Sequence, residues 1–252
     1  MTFAITAFGT TSSQMFKKES GVGLVSGAPM TYPDAQTKIP SGGGDFDCSE
    51  IIGERLKAVI ATNKVTPIAV SEIPNWSAIR DTVTKPDPKW PRADQIVGQI
   101  WTDDSETKLN MVPAVYNYDL IGYNPDVLSA EEANTWTAIC DKKWKGRSGL
   151  NVDPLIAFGQ AILAFGELDA KNPGNANKQE IDSAANFLIS KKKDGQFRAL
   201  WGDFGELVNL MASGEMVVCD AWQPAVMAVK AQGKLAKYAV PKEGYRAWSI
   251  GP

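Results

Sequence analysis

The chain has 252 residues, 44% hydrophobic and 22% charged, which is enough for one large domain or two modest lobes, each with its own core. A formal net charge of −3 leaves no global positive field to draw nucleic acid or anionic lipid. The absence of histidine removes Ser-His and Cys-His nucleophiles, histidine acid–base work and the usual zinc sites.

The pattern alternates between strand and helix and predicts an α/β fold. Residues 3–8 read as an opening strand, and residues 46–48 as a short buried strand entering a helix over 49–62. That helix gathers Ile51, Ile52, Leu56, Val59 and Ile60 on one side, with Ser49 placed to cap it. A surface stretch rich in Pro and Trp follows over 67–91. Two strands are expected at 111–115 and 120–123. Residues 155–165 are apolar nearly all round and predict a buried helix. Further helices are expected at 179–193 and 204–212, the second stopped by Ser213-Gly214. A buried strand over 216–221, a helix over 225–232 and a last strand over 238–241 complete the order. The basic run Lys191-Lys-Lys193 reads as a solvated helix end, where cations suit the negative pole of the dipole.

The apolar runs are too short to span a bilayer. Met1-Thr-Phe-Ala-Ile-Thr-Ala-Phe lacks a basic n-region, so no signal peptide is visible in it. The three cysteines, Cys48, Cys140 and Cys219, fall in no metal or CxxC spacing, and their odd count leaves at least one thiol free. A Cys140–Cys219 bridge stays open as an alternative. Ser41-Gly-Gly-Gly44 lacks the Gly-Lys-Ser/Thr of a phosphate loop. No metal site and no cofactor are expected.

Five segments in order carry a resemblance: Ser41-Gly-Gly-Gly-Asp-Phe-Asp47, Val112-Pro-Ala-Val-Tyr-Asn-Tyr-Asp-Leu-Ile-Gly-Tyr-Asn124, Trp144-Lys-Gly-Arg-Ser-Gly-Leu150, Gly214-Glu-Met-Val-Val218 and Tyr238-Ala-Val-Pro-Lys-Glu-Gly-Tyr-Arg-Ala-Trp248. Together they resemble the extracellular solute-binding proteins of ABC importers, most closely the spermidine/putrescine branch. The resemblance implies a two-lobed periplasmic-binding-protein-like α/β fold with a ligand cleft between lobes. Lobe 1 would span 1–118, lobe 2 would span 119–245, and 246–252 would return toward lobe 1, leaving the first lobe incomplete. It further implies a periplasmic, monomeric receptor that closes on a small solute and hands it to ABC permease subunits, without catalysis and without nucleic acid.

Aromatics and a few polar groups make the candidate site. Trp222 falls just past the buried strand expected at 216–221, where the ends of parallel strands face a ligand crevice. Trp248 matches an aromatic that lines the cleft in the resembled family. Tyr116, Asn117, Tyr118 and Asp119 follow the strand expected at 111–115. Aromatic faces with a carboxylate form a natural box for an organic cation, although each of these rings would serve equally as core.

The resembled polyamine binders carry a carboxylate pair after the Lys-Gly segment and another carboxylate after the terminal Trp. Here Asp153 matches the first, while Ile156 and Ile250 occupy the other two positions. Each lost charge-assisted bond costs a multiply charged ligand ~1.5–3 kcal/mol. The expectation is therefore a smaller ligand: a mono-amine, a quaternary ammonium compound, an amino-acid derivative or an opine-like compound. A sensor domain on the same fold, or an enzyme working through carboxylates such as Asp45 and Asp47, are the alternatives.

Overall fold

The computed structural model describes residues 2–3, 10–26, 32–41, 46–88, 95–165 and 176–251. The chain forms two compact units, one of Met1–Tyr116 with Trp248–Pro252 and the other of Asn117–Ala247.

The first unit contains β1 (Thr2–Phe3), α1 (Thr10–Ser20), β2 (Val25–Ser26), α2 (Tyr32–Lys38), β3 (Ile51–Ile52), α3 (Gly53–Ile60), β4 (Ile68–Ala69), α4 (Ile96–Gln99) and β5 (Lys108–Leu109). Its strands β1 to β5 are two residues long each, with β1 parallel to β2 and β4 antiparallel to β5. The stretch between β4 and α4 folds as short 3-10 turns at Val70–Glu72, Trp76–Ala78 and Asp81–Val83. Ala35, Ile51, Leu56, Val59, Ile100, Trp101, Leu109 and Met111 form one core cluster. Trp101 is fixed in it by a bond from Nε1 to the Thr84 carbonyl at 2.8 Å and by an edge-on contact with Trp76 at 5.4 Å.

Two expectations for this unit are corrected. The strand lies at Ile51–Ile52, not at 46–48, and the helix begins after it. These adjacent β-branched residues are both buried, as in a strand covered on both faces, and they pair with the end of the chain, Ile52 opposite Ile250. Ser49 consequently caps nothing: its hydroxyl donates to the Glu50 carbonyl, and Ile52 stands at the N-cap. Nor is 111–115 a strand. Pro113 has no N–H for a ladder, and the strand begins at Val115.

That strand is β6 (Val115–Tyr123), which carries the chain into the second unit. There follow β7 (Ser148–Asn151), α5 (Pro154–Phe165), α6 (Lys178–Lys193), β8 (Phe197–Trp201), α7 (Phe204–Ala212), β9 (Val218–Trp222), α8 (Gln223–Ala231) and β10 (Lys237–Ala239); β11 (Ala247–Gly251) leads back to the first unit. In the second unit β10, β6, β9, β7 and β8 lie side by side. β6 is antiparallel to β10 and β9, whereas β7 is parallel to β9 and β8.

Sequence chemistry accounts for these boundaries. Asn177 and Glu180 form a reciprocal capping box on α6, whose last turn carries Lys191, Lys192 and Lys193. The Asp203 carboxylate accepts from the Glu206 N–H at 2.9 Å to start α7. Val218 joins a cluster with Ile121, Trp136, Ile139, Leu150 and Ala157, whereas Cys219 and Ala221 join one with Leu207, Met211, Val226 and Val229. Alternate residues of a strand point to opposite faces, so the sheet is covered on both. Gly149 is required by that packing, because a Cβ there would collide with the Met216 sulfur. Helix α5 is less enclosed than its composition suggests: Ile156, Ala157, Ala161 and Ile162 are buried, and Leu155 is exposed.

Cys140 and Cys219 are both buried and free, so the bridge does not form. Burial pushes the Cys140 thiol up to about 12 and raises that of Cys219 well above the ordinary thiol value. Among the described residues no helix is long and apolar enough to cross a membrane.

Candidate functional site

The parallel strands β7, β8 and β9 end at Asn151, Trp201 and Trp222, and the register sets Asn151 beside Trp201. Each strand end is followed by a helix start, at Pro154, Phe204 and Gln223. This is the edge at which open α/β sheets bind ligands.

Register then explains the chemistry. Asp119 on β6 lies directly opposite Trp222 on β9, and Ile121 lies opposite Asp220. Directly opposed residues share a face, and the Trp222 Nε1 donates to Asp119 Oδ1 at 3.1 Å. Arg246 donates to Asp119 Oδ2 at 2.6 Å, while the Arg246 carbonyl accepts from the Asp119 N–H at 2.9 Å. With Asp119 only 1% exposed, this buried ion pair fixes two side chains and the backbone at once.

One strand over, Asp220 is likewise 1% exposed. It accepts from Trp201 Nε1 at 2.8 Å and from the Asn151 N–H at 3.1 Å. Burial foremost, then the neighbouring Asp119 charge, push its carboxyl up to about 7 against these hydrogen bonds. The Gln160 amide adds a weaker favourable interaction with Asp220, short of a well-formed hydrogen bond. Trp201 meets Trp222 edge-on with centroids 4.9 Å apart, which links the two carboxylate-centred groups.

The other expected residues distribute unevenly. Asp153 is half-buried at the start of α5, where it accepts from the Leu155 N–H at 2.9 Å while its own N–H donates to Asn151 Oδ1 at 2.7 Å. Asn117 is turned onto the backbone, accepting from the Tyr118 N–H at 2.8 Å. Tyr118 stacks edge-on with Tyr245 at 5.2 Å. The second unit thus gathers Asp119 and Trp222 directly, and Asp153 joins them through Asn151, Asp220 and Trp201. Tyr116 and Trp248 belong to the first unit. Tyr116 is 42% exposed and Trp248 half-buried. The two missing carboxylate positions are apolar core, since Ile156 and Ile250 are both buried.

Arg246, Asp220, Trp201 and Asn151 were not among the expected site residues. A lone arginine between Tyr245 and Trp248, and an aspartate inside the apolar run Val217-Val-Cys-Asp-Ala221, were the available signals. Among the described residues no cluster of His, Cys, Asp or Glu could hold a metal ion.

The Listeria monocytogenes structure described as a putative spermidine/putrescine ABC transporter superposes with a TM-score of 0.77 at 19% identity, covering 100% of this chain and 71% of its own. The TpPotD lipoprotein of Treponema pallidum gives 0.74 at 20% identity, covering 99% and 73%. MotA of A. tumefaciens B6, solved in complex with glucopine, gives 0.68 at 16% identity, covering 100% and 72%. No curated protein matches the sequence. The family profile of the bacterial extracellular solute-binding proteins matches residues 12–251. By that match over nearly its whole length, the chain belongs to the bacterial extracellular solute-binding proteins.

Proposed function

We propose that this protein captures a small amine-containing organic solute outside the cytoplasm, in the periplasm, and delivers it to the membrane subunits of an ABC importer. The observation that carries the reading is the Trp222 indole, held at the C-terminal end of β9 by the Asp119–Arg246 pair and braced by Trp201. A ring positioned by its own Nε1 offers its face to a cation, a contact of ~0.5–2 kcal/mol. Asp153, just past the end of the neighbouring strand, supplies the carboxylate, with Asn117 and Tyr118 as further contacts. Asp119 acts through Trp222 and Arg246 as a positioning residue. The buried Ile156 and Ile250 favour a solute with less positive charge than a polyamine. Support for an amine comes also from the spermidine/putrescine and glucopine descriptions of the similar structures.

The test is calorimetric titration with putrescine, spermidine, choline and basic amino acids. One of these should bind, and Trp222→Ala should weaken it at least about 10-fold. Equal affinity in the variant would remove Trp222 from the site.

A further inference from the structure

One buried titratable group in the second unit has no part in the capture proposed above. Asp220 lies on β9 two residues before Trp222 and is 1% exposed. Its Oδ1 accepts from Trp201 Nε1 at 2.8 Å, and Trp201 meets the Trp222 ring edge-on. Its Oδ2 accepts from the Asn151 N–H at 3.1 Å, and the Asn151 side chain holds the Asp153 N–H at 2.7 Å. A single carboxylate thus anchors both the aromatic wall and the turn that carries Asp153. Gln160 on α5 completes its surroundings: it is 3% exposed, and neither its Nε2 nor its Oε1 has a well-formed hydrogen bond among the described residues. An amide donates to an ionised carboxylate through its nitrogen and accepts from a protonated one through its oxygen. Trp201 and Asn151 offer Asp220 only donors, so Gln160 is the neighbour equipped for both of its states.

The other charged and titratable groups of the neighbouring elements are committed elsewhere. On β6, Asp119 is bonded to Arg246 and Trp222, and Tyr118 packs on Tyr245; Tyr123 lies opposite Val218, two residues along β9 from Asp220. Asp153 accepts from the Leu155 N–H, Arg198 on β8 pairs with Glu215, and Glu206 on α7 accepts from the Gly202 N–H at 2.8 Å. Helix α8 carries only Lys230, in its last turn, while β7 and α5 carry no titratable side chain. Cys140 and Cys219 are thiols raised by burial, and Cys219 points to the opposite face of β9. With no histidine in the chain, no imidazole titrates near neutrality. Asp220, its carboxyl pushed up to about 7 by burial and then by the Asp119 charge, changes state in that window.

We infer that Asp220 is a positioning residue that couples this binding edge to pH: ionised, it holds Trp201, through it Trp222, and the turn of Asp153 in the arrangement that takes a cation. Protonated, it turns its O–H to the Gln160 carbonyl and loosens its hold on the two donors. The ionised form is the stronger anchor, because bonds to a charged acceptor are roughly twice as strong as neutral ones. Its negative charge also favours a cation at the Trp222 face. Resting on the amine reading above, this makes the solute bind more tightly as pH rises through neutrality.

Two measurements on the whole chain test this. Without any ligand, the indole N–H resonance of Trp201, assigned through Trp201→Phe, should shift with pH around a midpoint near 7 and stay fixed in Asp220→Asn. In calorimetric titration with choline, putrescine and arginine, all cationic at either pH, the compound that binds should do so at least about 3-fold more tightly at about pH 8 than at about pH 6. Asp220→Asn, uncharged at every pH, should keep the weaker affinity at both. A carboxylate that only braces the fold would leave the wild-type affinity level with pH. A Trp201 resonance that does not titrate, one that titrates equally in Asp220→Asn, or a level wild-type affinity would each overturn the inference and leave the amine reading standing. The wild-type measurements hold even where the variant folds poorly. Binding of none of the three compounds would count against the amine reading, and the resonance alone would then decide Asp220.

Discussion

The two units reach a packed interior by different routes. The second is built on five adjoining strands with apolar clusters on both faces, and it holds the buried Asp119 carboxylate against Arg246. The first has two-residue strand pairs and 3-10 turns, and it condenses around Leu56, Ile100, Trp101 and Leu109. Chemistry follows the same division. In the second unit the register of a regular sheet places Asp119 against Trp222, so side chains are positioned by the backbone lattice. In the first, Tyr116 lies at the very start of β6, just after Pro113, whose missing N–H keeps the preceding segment out of the ladder.

The largest effect that would break this contrast lies in the sheet. Asp119→Ala takes from the part-buried Arg246 its carboxylate partner and should cost ~3–5 kcal/mol in urea unfolding, since removing one partner leaves the other charge poorly compensated. If the loss were below about 1 kcal/mol, the pair would be no anchor.

The next effect is one of pH. Asp220 has its carboxyl raised to about 7 in the fold, against an ordinary value of 3.8. Between roughly pH 4 and 7 the folded chain holds a proton that the unfolded chain has released, so stability falls as pH rises through that window. The shift corresponds to a decline of at most about 4 kcal/mol by pH 8. Asp220→Asn cannot ionise and should flatten that part of the profile. An unchanged slope would show that Asp220 stays ionised in the fold.

Smaller still is the expected result in the first unit. Leu56→Ala, at a position 1% exposed, should cost about 3 kcal/mol. Hydrogen exchange should then rise at α3 and β5 while β7, β8 and β9 keep their protection. Uniform loss across the chain would show that the two units open together.

What could be read from the chain beforehand divides along similar lines. Helix α7 was legible to its ends because Asp203 caps it and Gly214 follows it, both local signals. The strand at Ile51 was misplaced because its partner, β11, lies at the other end of the chain. Pro113 should have argued against a strand at 111–115, and there the apolar run outweighed the missing N–H. Trp222 was recognisable from its place after a buried strand. Its support was not, since Asp119, Arg246 and Trp222 meet only through the pairing of β6 with β9 and the return of the chain at Arg246.

The three free thiols have a practical consequence. At neutral pH a thiol raised to about 12 is ionised to roughly one part in 100,000, so Cys140 resists alkylation and oxidation alike, and burial raises and shields the Cys219 thiol as well. Cys48 is only half-buried, and its thiol is raised less. A maleimide dye would therefore report from Cys48 first, giving a single-site optical label in the first unit without any engineered cysteine.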